Sequence, residues 1–388
     1  MAAEQVYFDH AATTAPRPEV VEAMLPFLQD KWGNPSSLHQ TGVAALEGVE
    51  RARAHVGALV GAQPEEIVFC GSGTEADNHA LVGVWVANRH RKPHFITSSI
   101  EHHAVLHTAA FLEELGVRVT YLPVDGLGLV DPEAVRDAIT PETVLVSIMH
   151  ANNEVGTLQP VAEIGAICRE RDVLFHTDAV QTVGHLPLDV NELNVDLLSL
   201  SAHKLYGPKG VGALYQRAGT KLPPFVRGGK QELGRRASTE NVAGIVGLGE
   251  AARLARVDMS SEIPHVTALR DAVLHQLRSF FPEVRTTGHP TQRLPNNASF
   301  CIPGVEGEAL VLELDAHGFA VSSGSACTSG ALTPSHVLVA MGIEPEVARG
   351  SVRLSFGRGN TMAQVERLLA VMPAVVERLR MLSPIEAR

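Results

Sequence analysis

The feature that most constrains the fold is an alternation, in the first half of the chain, between short apolar runs rich in β-branched residues and longer stretches of helical periodicity, such as 160–171. Strands that alternate with helices form a mostly parallel sheet with helices on both faces. Ligands of such sheets bind at the carboxyl ends of the strands, so functional residues are expected there. The six predicted strands are 66–70, 94–99, 117–122, 143–149, 173–179 and 196–202.

After about residue 260 the pattern changes, and the 388 residues of the chain are more than one compact core usually holds. We therefore predict two domains. A large α/β domain covers residues 15–260, and a smaller α+β domain combines residues 1–14 with residues 261–388. In the smaller domain we expect helices at 262–280, at 306–317 and up to about 382, and extended segments at 298–304 and 351–357.

Composition argues against several classes of function. The formal net charge is −11, without a long run of Lys or Arg, which argues against direct binding to nucleic acid or to an anionic membrane. No segment approaches the ~20 apolar residues that span a bilayer, and the first residues lack the pattern of a signal peptide. The four cysteines form no C-x-x-C pair and are too few for a disulfide framework. A protein of the reducing cytoplasm is expected.

Two neighbouring predicted strands end in residues suited to a pyridoxal-phosphate cofactor. Lys204 follows the run 196–202, and a lysine at the mouth of a buried strand can lose solvation and form a Schiff base. Asp178 ends the preceding run and is followed by Gln181; a buried carboxylate needs a partner, such as a protonated pyridine nitrogen. A lysine in this position would by itself more often be a solvated strand-end residue. The separation of 26 residues, about one strand–helix–strand unit, favours the cofactor site.

A phosphate cradle is predicted directly after the first of the six strands. Gly71 and Gly73 let the backbone approach an anion, and Thr74 opens a helix whose N–H groups point at it. The same glycines with Ala76 fit the loose dinucleotide pattern G-x-G-x-x-G/A. That pattern needs an acidic residue about 20 positions later, where this chain has the basic residues 91–92. The nicotinamide interpretation is therefore set aside without being excluded.

Three further strand ends or strands carry candidate polar residues. His102 and His103 follow the second strand, and one of two adjacent histidines can lie on a cofactor ring and move protons, although such a pair is more often a plain helix start. Asn152 and Asn153 follow the fourth strand. Arg353 lies in an alternating run, where it is placed either to hold a carboxylate with two hydrogen bonds or to form a surface salt bridge.

Cys327 lies in SSGSACTSG, a segment of small polar residues without periodicity. Such a segment is exposed and contributes little to a core, so a thiol there is suited to act as a nucleophile. Cys70, Cys168 and Cys301 lie in or beside apolar runs and are most simply core residues.

Taken together, these segments resemble the cysteine desulfurases of the NifS/IscS type, in particular group I, within the class-V aminotransferases. The resemblance extends from about residue 5 to residue 383, in the same order throughout. It implies the fold-type I architecture of pyridoxal-phosphate transferases. The matching segments are YFDHAATT, GNPSSLHQTG, GSGTEADN, EHHAVL, HANNEVGT, HTDAVQ, SAHKLYGPKG, SSGSACTSG and VRLSFGR.

The resemblance also implies a conversion of L-cysteine to L-alanine, with the sulfur passing to the enzyme. Lys204 would carry the cofactor, and Cys327 would attack the substrate sulfur to become a persulfide. Asp178 would pair with the pyridine nitrogen, Gln181 would bond the ring hydroxyl, and His102 would stack on the ring and transfer a proton. Thr74, Ser201 and His203 would bind the phosphate, and Arg353 and Asn153 would hold the substrate carboxylate.

Thr239 would reach the phosphate of the partner subunit, which implies a homodimer. Ser238, which precedes it, stands where the family usually has glycine. The chain ends with LSPIEAR, short of the tail that docks an iron–sulfur scaffold in the family. The acceptor is left open between such a scaffold, a tRNA-thiolation protein and another carrier. Two other functions remain open: a class-V aminotransferase or lyase acting on another amino acid, and a non-enzymatic sulfur carrier that needs Cys327 but not Lys204.

Overall fold

A computed structural model describes residues 5–323 and 334–382. The strands are β1 (Val6–Tyr7), β2 (Ile67–Cys70), β3 (His94–Ser98), β4 (Arg118–Leu122), β5 (Thr143–Ser147), β6 (Leu174–Asp178), β7 (Leu197–Ser201), β8 (Gly212–Gln216), β9 (Arg285–Thr286), β10 (Asn297–Cys301), β11 (Phe319–Ala320) and β12 (Ser351–Ser355). The α-helices are α1 (Pro18–Gln29), α2 (Gln40–Val60), α3 (Gly73–Asn88), α4 (His103–Glu114), α5 (Pro132–Ala138), α6 (Val161–Glu170), α7 (Val242–Phe280), α8 (Gly307–Ala316), α9 (His336–Ala340), α10 (Pro345–Ala348) and α11 (Met362–Leu382).

The large sheet has seven strands in the order β2-β8-β7-β6-β5-β3-β4. Adjacent strands from β7 to β4 are parallel, whereas β8 is antiparallel to both of its neighbours. The predicted α/β class with a mostly parallel sheet is confirmed, and each of the six predicted strands is present within a residue or two. All strands of this sheet except β8 therefore point the same way, and their carboxyl ends meet at one edge.

The sequence analysis missed β8. Its five residues begin at a glycine and follow another glycine at position 210, and glycine weakens the local signal for a strand. Burial decides the structure instead, because Leu214 and Tyr215 are fully buried between β2 and β7. The strand is therefore specified by its neighbours more than by its own composition.

Helices cover both faces of this sheet, as predicted, because alternate residues of its strands belong to different apolar clusters. One face packs against α2, α6 and α7, with Val56, Ile164 and Leu248 in the cluster. The opposite face packs against α3 and α4, with Val84 and Leu112 in the cluster. Residues buried on both faces explain the continuous apolar runs in the sequence.

A second core lies around the three-stranded antiparallel sheet β12-β10-β9 and the short parallel pair β1-β11. Phe8 is fully buried there, which places the start of the chain against its last third. Helix α7 has 39 residues and contributes to both cores. The predicted helix start at residue 262 is wrong, since apolar residues such as Leu248 and Leu254 continue the same helix into the first core. The division into 15–260 and 1–14 with 261–388 stays a prediction, because α7 passes residue 260 without a break.

Among the helices that the structure describes, none combines the length and the apolar character required to cross a bilayer.

Candidate active site

A cavity of about 360 Å³ opens at the edge of the large sheet where the carboxyl ends of its strands meet. Except for Thr239 and Cys327, every residue to which the resemblance assigns a role contributes to its lining, whereas Gly71 of the predicted phosphate cradle lines a different cavity. Cys327 lies outside the described residues. The lining residues are Ala11, Ala12, Ser72, Gly73, Thr74, Asp77, His102, Met149, Asn153, Asp178, Val180, Gln181, Ser201, His203, Lys204 and Arg353.

Lys204 lies in a short 3-10 turn that follows β7 directly. Its Nζ donates to the carbonyl oxygens of Ala11 and Ala12, at 2.6 and 2.7 Å. The hydroxyl of Thr14 donates to the carbonyl of His203 at 2.9 Å. His185 Nε2 donates to the carbonyl of Lys204 at 2.7 Å. The N-terminal segment thus fixes the turn and lies directly against the lysine amine.

Tyr206 holds the other end of this turn in an unusual backbone conformation. Its φ of +62° lies in the left-handed region, which is costly for a large side chain. Its N–H donates to Thr14 Oγ1 at 2.8 Å, and its hydroxyl donates to Glu262 of α7 at 2.8 Å. The same hydroxyl accepts from the N–H of Arg358 at 2.9 Å. These bonds compensate for the strain and tie the lysine turn to both cores.

Asp178 ends β6 beside this turn and is almost completely buried. One oxygen accepts from the N–H of Val180 at 2.9 Å. Burial raises the pKa of the Asp178 carboxyl, while the nearby His102 and Lys204 oppose that shift. Gln181 lies one turn further on, and its Nε2 donates to the carbonyl of Ala11 at 3.0 Å. A buried carboxylate facing a cavity needs a positively charged partner there.

The predicted anion cradle is formed by the N-terminus of α3, which Ser72 caps by accepting from the N–H of Glu75. Gly73 is the first residue of this helix, and a Cβ there would lie 2.7 Å from Val180 Cγ2. Only glycine therefore fits without a shift of the neighbouring loop. Ser201 and Thr74 add hydroxyls to the same end of the cavity. Such a helix end, together with hydroxyls, suits a phosphate.

His203 lies beside this cradle as a neutral side chain. Burial lowers its pKa to about 4, and the positive charges of Lys204 and Lys209 add to the effect. Its Nδ1 is 3.1 Å from the hydroxyl of Thr13. A neutral imidazole can donate one hydrogen bond to an anion without adding a buried charge.

His102 lies at the mouth of the cavity as the N-cap of α4. Its Nδ1 accepts from the N–H of Ala104 at 3.1 Å. In the neutral ring this bond places the proton on Nε2. His103 instead packs at a tilt against two further histidines, at ring-centroid distances of 4.9 Å from His107 and 4.8 Å from His336. The two adjacent histidines therefore have different surroundings.

Arg353 of β12 faces the cavity from the second core. Its Nη1 donates to the carbonyl of Asn153 at 2.7 Å, and its Nη2 donates to Asp9 at 2.9 Å. Its Nε is buried and has no hydrogen-bond partner in the part of the chain that the structure describes. The guanidinium is thus held in one orientation with donors left over, which suits the recognition of a carboxylate.

Thr239 lines a separate cavity of about 200 Å³, together with Gly71 and Arg236. Ser238 precedes it with a φ of +100°, in the region that favours glycine. This conformation gives a physical reason for the glycine that the family usually has here.

The three described cysteines are buried, and burial raises the pKa of each thiol. For Cys168 and Cys301 the pKa is raised to about 12. A thiol that stays protonated is a poor nucleophile, so Cys70, Cys168 and Cys301 do not suit a catalytic role.

The sequence analysis missed two acidic residues of the site. Asp9 belongs to the quoted segment YFDHAATT but received no role, because its contact with Arg353 joins distant parts of the chain. Asp77 lies on the buried face of α3, in helical register with Gly73 and Leu81. Helical periodicity places this acidic residue on an otherwise apolar helix face, and that placement could have identified it from the sequence.

Comparisons with known proteins match this geometry. The aminotransferase class-V family model matches residues 6–368. A protein named cysteine desulfurase IscS from Methanosarcina thermophila is 52% identical over 380 residues, which cover 98% of this chain and 94% of the relative. The chain belongs to the aminotransferase class-V family.

Two solved structures extend the similarity to the fold. A NifS-like protein is 38% identical and superimposes with a TM-score of 0.91, covering 97% of this chain and all of the other. A structure titled SspA in complex with cysteine is 37% identical with a TM-score of 0.80, covering 90% of this chain and 98% of the other. The resemblance to cysteine desulfurases and the fold-type I architecture are confirmed.

Pyridoxal phosphate is the cofactor of this family, and the cavity fits it. Asp178 offers a buried negative charge for a ring nitrogen, and Lys204 lies one strand away from it. Gly73 and Thr74 at the N-terminus of α3 line the same cavity, and a helix N-terminus suits a phosphate. The predicted cofactor is therefore confirmed, and the dinucleotide interpretation of the same glycines is wrong.

Proposed function

We propose that this cavity is the active site in which the chain, a pyridoxal-phosphate-dependent cysteine desulfurase, converts L-cysteine to L-alanine and transfers the sulfur to one of its own cysteines. The observation that carries the proposal is the shared cavity of Lys204, Asp178 and Arg353, because it combines a cofactor-binding amine, a buried carboxylate and a carboxylate-binding guanidinium. The names of the relatives and the cysteine bound by a similar protein support it.

Each cofactor-binding residue has a distinct task. Lys204 would hold the cofactor covalently, and the ionised Asp178 would pair with the ring nitrogen and keep it protonated. Gln181 would bond the ring hydroxyl. The N-terminus of α3 and side chains of the lysine turn would hold the phosphate. When bound, the cofactor would supply an electron sink for cleavage of the C–S bond. The phosphate-binding residues are Gly73, Thr74, Ser201 and His203.

The remaining residues act on the substrate. Arg353 and Asn153 hold the carboxylate of cysteine, so its orientation is fixed from the second core. His102 would lie against the cofactor ring and move a proton through the Nε2 that its capping bond leaves protonated. The thiolate of Cys327 attacks the substrate sulfur. An S–S bond forms, the Cβ–S bond breaks, and a proton completes alanine, so that L-cysteine and the enzyme thiol become L-alanine and an enzyme persulfide.

We further propose that the enzyme is a cytoplasmic homodimer that delivers its sulfur to a protein acceptor. Within one chain Thr239 lies outside the cavity, which is compatible with its binding the phosphate of the partner subunit. The acceptor is an iron–sulfur scaffold or a carrier for tRNA thiolation, since both receive sulfur as a protein persulfide.

Borohydride reduction of the holoenzyme followed by peptide mapping tests the cofactor site. We expect the reduced cofactor on Lys204, and Lys204→Ala should lose both the label and the near-visible absorbance. Lys209→Ala is the matched control, because Lys209 lies five residues away on the exposed side of the same turn. Label on another lysine in the wild-type protein, or retained absorbance in Lys204→Ala, would show that the cofactor is held elsewhere.

A further inference from the structure

Asp77 is an acidic residue of the active-site cavity that the proposed mechanism does not use. It lies in α3, lines the cavity and is only 1% exposed. Its Oδ1 has no hydrogen-bond partner among the residues that the structure describes. A buried ionised carboxylate without a counter-charge is strongly unfavourable. Either the side chain has a cation nearby, or it is not ionised.

The histidine beside this oxygen does not supply a counter-charge. His176 Nε2 is 3.6 Å from Asp77 Oδ1, but burial lowers the pKa of His176 to about 3. The ring is therefore neutral. Its two nitrogens lie against serine hydroxyls on the neighbouring strands, 2.8 Å from Ser147 Oγ and 3.0 Å from Ser199 Oγ. Below the cavity Asp77 thus belongs to a network of neutral polar groups.

The other titratable groups that act on Asp77 are carboxyls. Desolvation of the buried side chain raises the pKa of Asp77 well above its usual range, and the buried carboxyls of Asp178 in β6 and Glu101 before α4 add to this effect. The Ser199 hydroxyl is the group that favours the ionised form. His102 and Lys204 act on Asp178 instead, where both lower the pKa of the carboxyl.

Two buried carboxyls that interact cannot both ionise at low cost, so the pair retains a proton. The position of the other charges decides where that proton stays. His102 and Lys204 favour the negative charge on Asp178, whereas Asp77 faces neutral or acidic groups. A protonated carboxyl also gains an O–H donor, which an ionised one lacks.

We propose that Asp77 and Asp178 share one proton that resides on Asp77, so that Asp77 is a positioning residue which keeps Asp178 ionised for the ring nitrogen of the cofactor. This role rests on the proposed function. It assigns to Asp77 a neutral form in the working enzyme. The residue acts through Asp178 and does not itself contact the reacting atoms.

Infrared spectroscopy of the full-length holoenzyme tests the location of the proton. Protein labelled with ¹³C at the aspartate side-chain carboxyl should show an isotope-shifted band of a protonated carboxylic acid at neutral pH. We expect Asp77→Asn to remove this band and Asp178→Asn to retain it. Glu101→Gln is the matched control, because Glu101 is also buried and its pKa is raised to about 8, but its band is not shifted by aspartate label. A band that survives in Asp77→Asn and disappears in Asp178→Asn would overturn the proposal.

Cofactor binding gives a second measurement. Asp77→Leu removes the O–H donor at similar volume, and we expect about 10- to 100-fold weaker binding of pyridoxal phosphate, the range for losing one hydrogen bond to a charged group. The pH profile of the near-visible absorbance should shift in the same variant. Asp77→Asn keeps a neutral donor and should restore most of the affinity and the wild-type profile.

Asp178→Asn in the same titrations separates two kinds of failure. If Asp77→Asn is as impaired as Asp178→Asn, the charge of Asp77 matters and the shared-proton proposal is wrong, while the proposed function stands. If Asp178→Asn leaves affinity and absorbance unchanged, the cofactor assignment itself fails. Thermal unfolding of each variant identifies any variant that has lost its fold. If Asp77→Leu is such a variant, the infrared result for Asp77→Asn still decides where the proton resides.

Discussion

Replacing Arg353 with lysine should weaken the recognition of the substrate carboxylate without disturbing the chemistry. The guanidinium is 5% exposed and is oriented by Asn153 and Asp9, at 2.7 and 2.9 Å. A lysine has one nitrogen, so it can keep the contact with Asp9 but cannot present a planar pair of donors as well. The loss corresponds to one charge-assisted hydrogen bond, about 1.5–3 kcal/mol, or about a 10- to 100-fold decrease in kcat/KM.

Steady-state kinetics with two substrates measure this effect. L-Cysteine carries the carboxylate, and L-cysteine methyl ester has the same amine and thiol without that charge. We expect Arg353→Lys to lower kcat/KM for cysteine mainly through KM, and to leave the ester within about 3-fold of wild type, well inside one charge-assisted bond. Arg349→Lys is the matched control, because Arg349 is exposed four residues before Arg353. Equal losses on both substrates would refute the reasoning, since they would indicate damage to the site and not to carboxylate recognition.

Four further changes have defined outcomes. Cys327→Ser should keep the cofactor spectrum but reduce sulfur release to near background, because a hydroxyl is a poor nucleophile towards a thiol sulfur. In wild-type protein treated with cysteine, mass spectrometry should find one added sulfur on the peptide containing SSGSACTSG. Unchanged sulfur release in the serine variant would instead favour another class-V activity. Asp178→Asn should retain bound cofactor with turnover reduced by orders of magnitude, and near-normal turnover would place the pairing carboxylate elsewhere. Ser238→Gly should raise the free energy of unfolding by about 1 kcal/mol, since it relieves a left-handed backbone conformation; chemical denaturation that shows no gain would contradict this. In the folded state the pKa of Glu101 is raised from 4.5 to about 8. The unfolded state therefore releases this proton at lower pH, and the free energy of unfolding declines as pH rises between these values. Glu101→Gln should flatten that decline in denaturation curves taken from pH 4.5 to 8.

Much of the site was predictable because it depends on strand ends. Parallel strands bring their carboxyl ends to one edge, so Asp178 and Lys204 were expected to meet although 26 residues separate them. Contacts between segments that are distant in the sequence could not be predicted, because a local hydrophobic pattern carries no information about them. Nothing local in the first residues indicates that Ala11 and Ala12 receive the amine of Lys204.

The two errors of the fold prediction have a similar origin. The strand β8 is short and begins at a glycine, and it forms because β2 and β7 leave an edge on each side of it. The start of helix α7 was predicted too late in the sequence, because a change in the sequence pattern near residue 260 was interpreted as a domain boundary. In the structure the helix continues through that point and only the core that it contacts changes.

The parallel pairing of Val6–Tyr7 with Phe319–Ala320 joins residues that a ribosome makes first to residues that it makes near the end. All seven strands of the large sheet have been synthesised by residue 216, so that sheet has its full set of strands while β1 still lacks a partner. The carbonyls of Ala11 and Ala12, which accept hydrogen bonds from Lys204, lie a few residues after β1. Arg353 is synthesised after β11. Contacts between distant parts of a chain form slowly, and a growing chain therefore acquires its fold before its ability to capture cofactor and substrate. Translation that stops between residues 280 and 353 leaves a chain with every strand of the large sheet and with α7, but without Arg353.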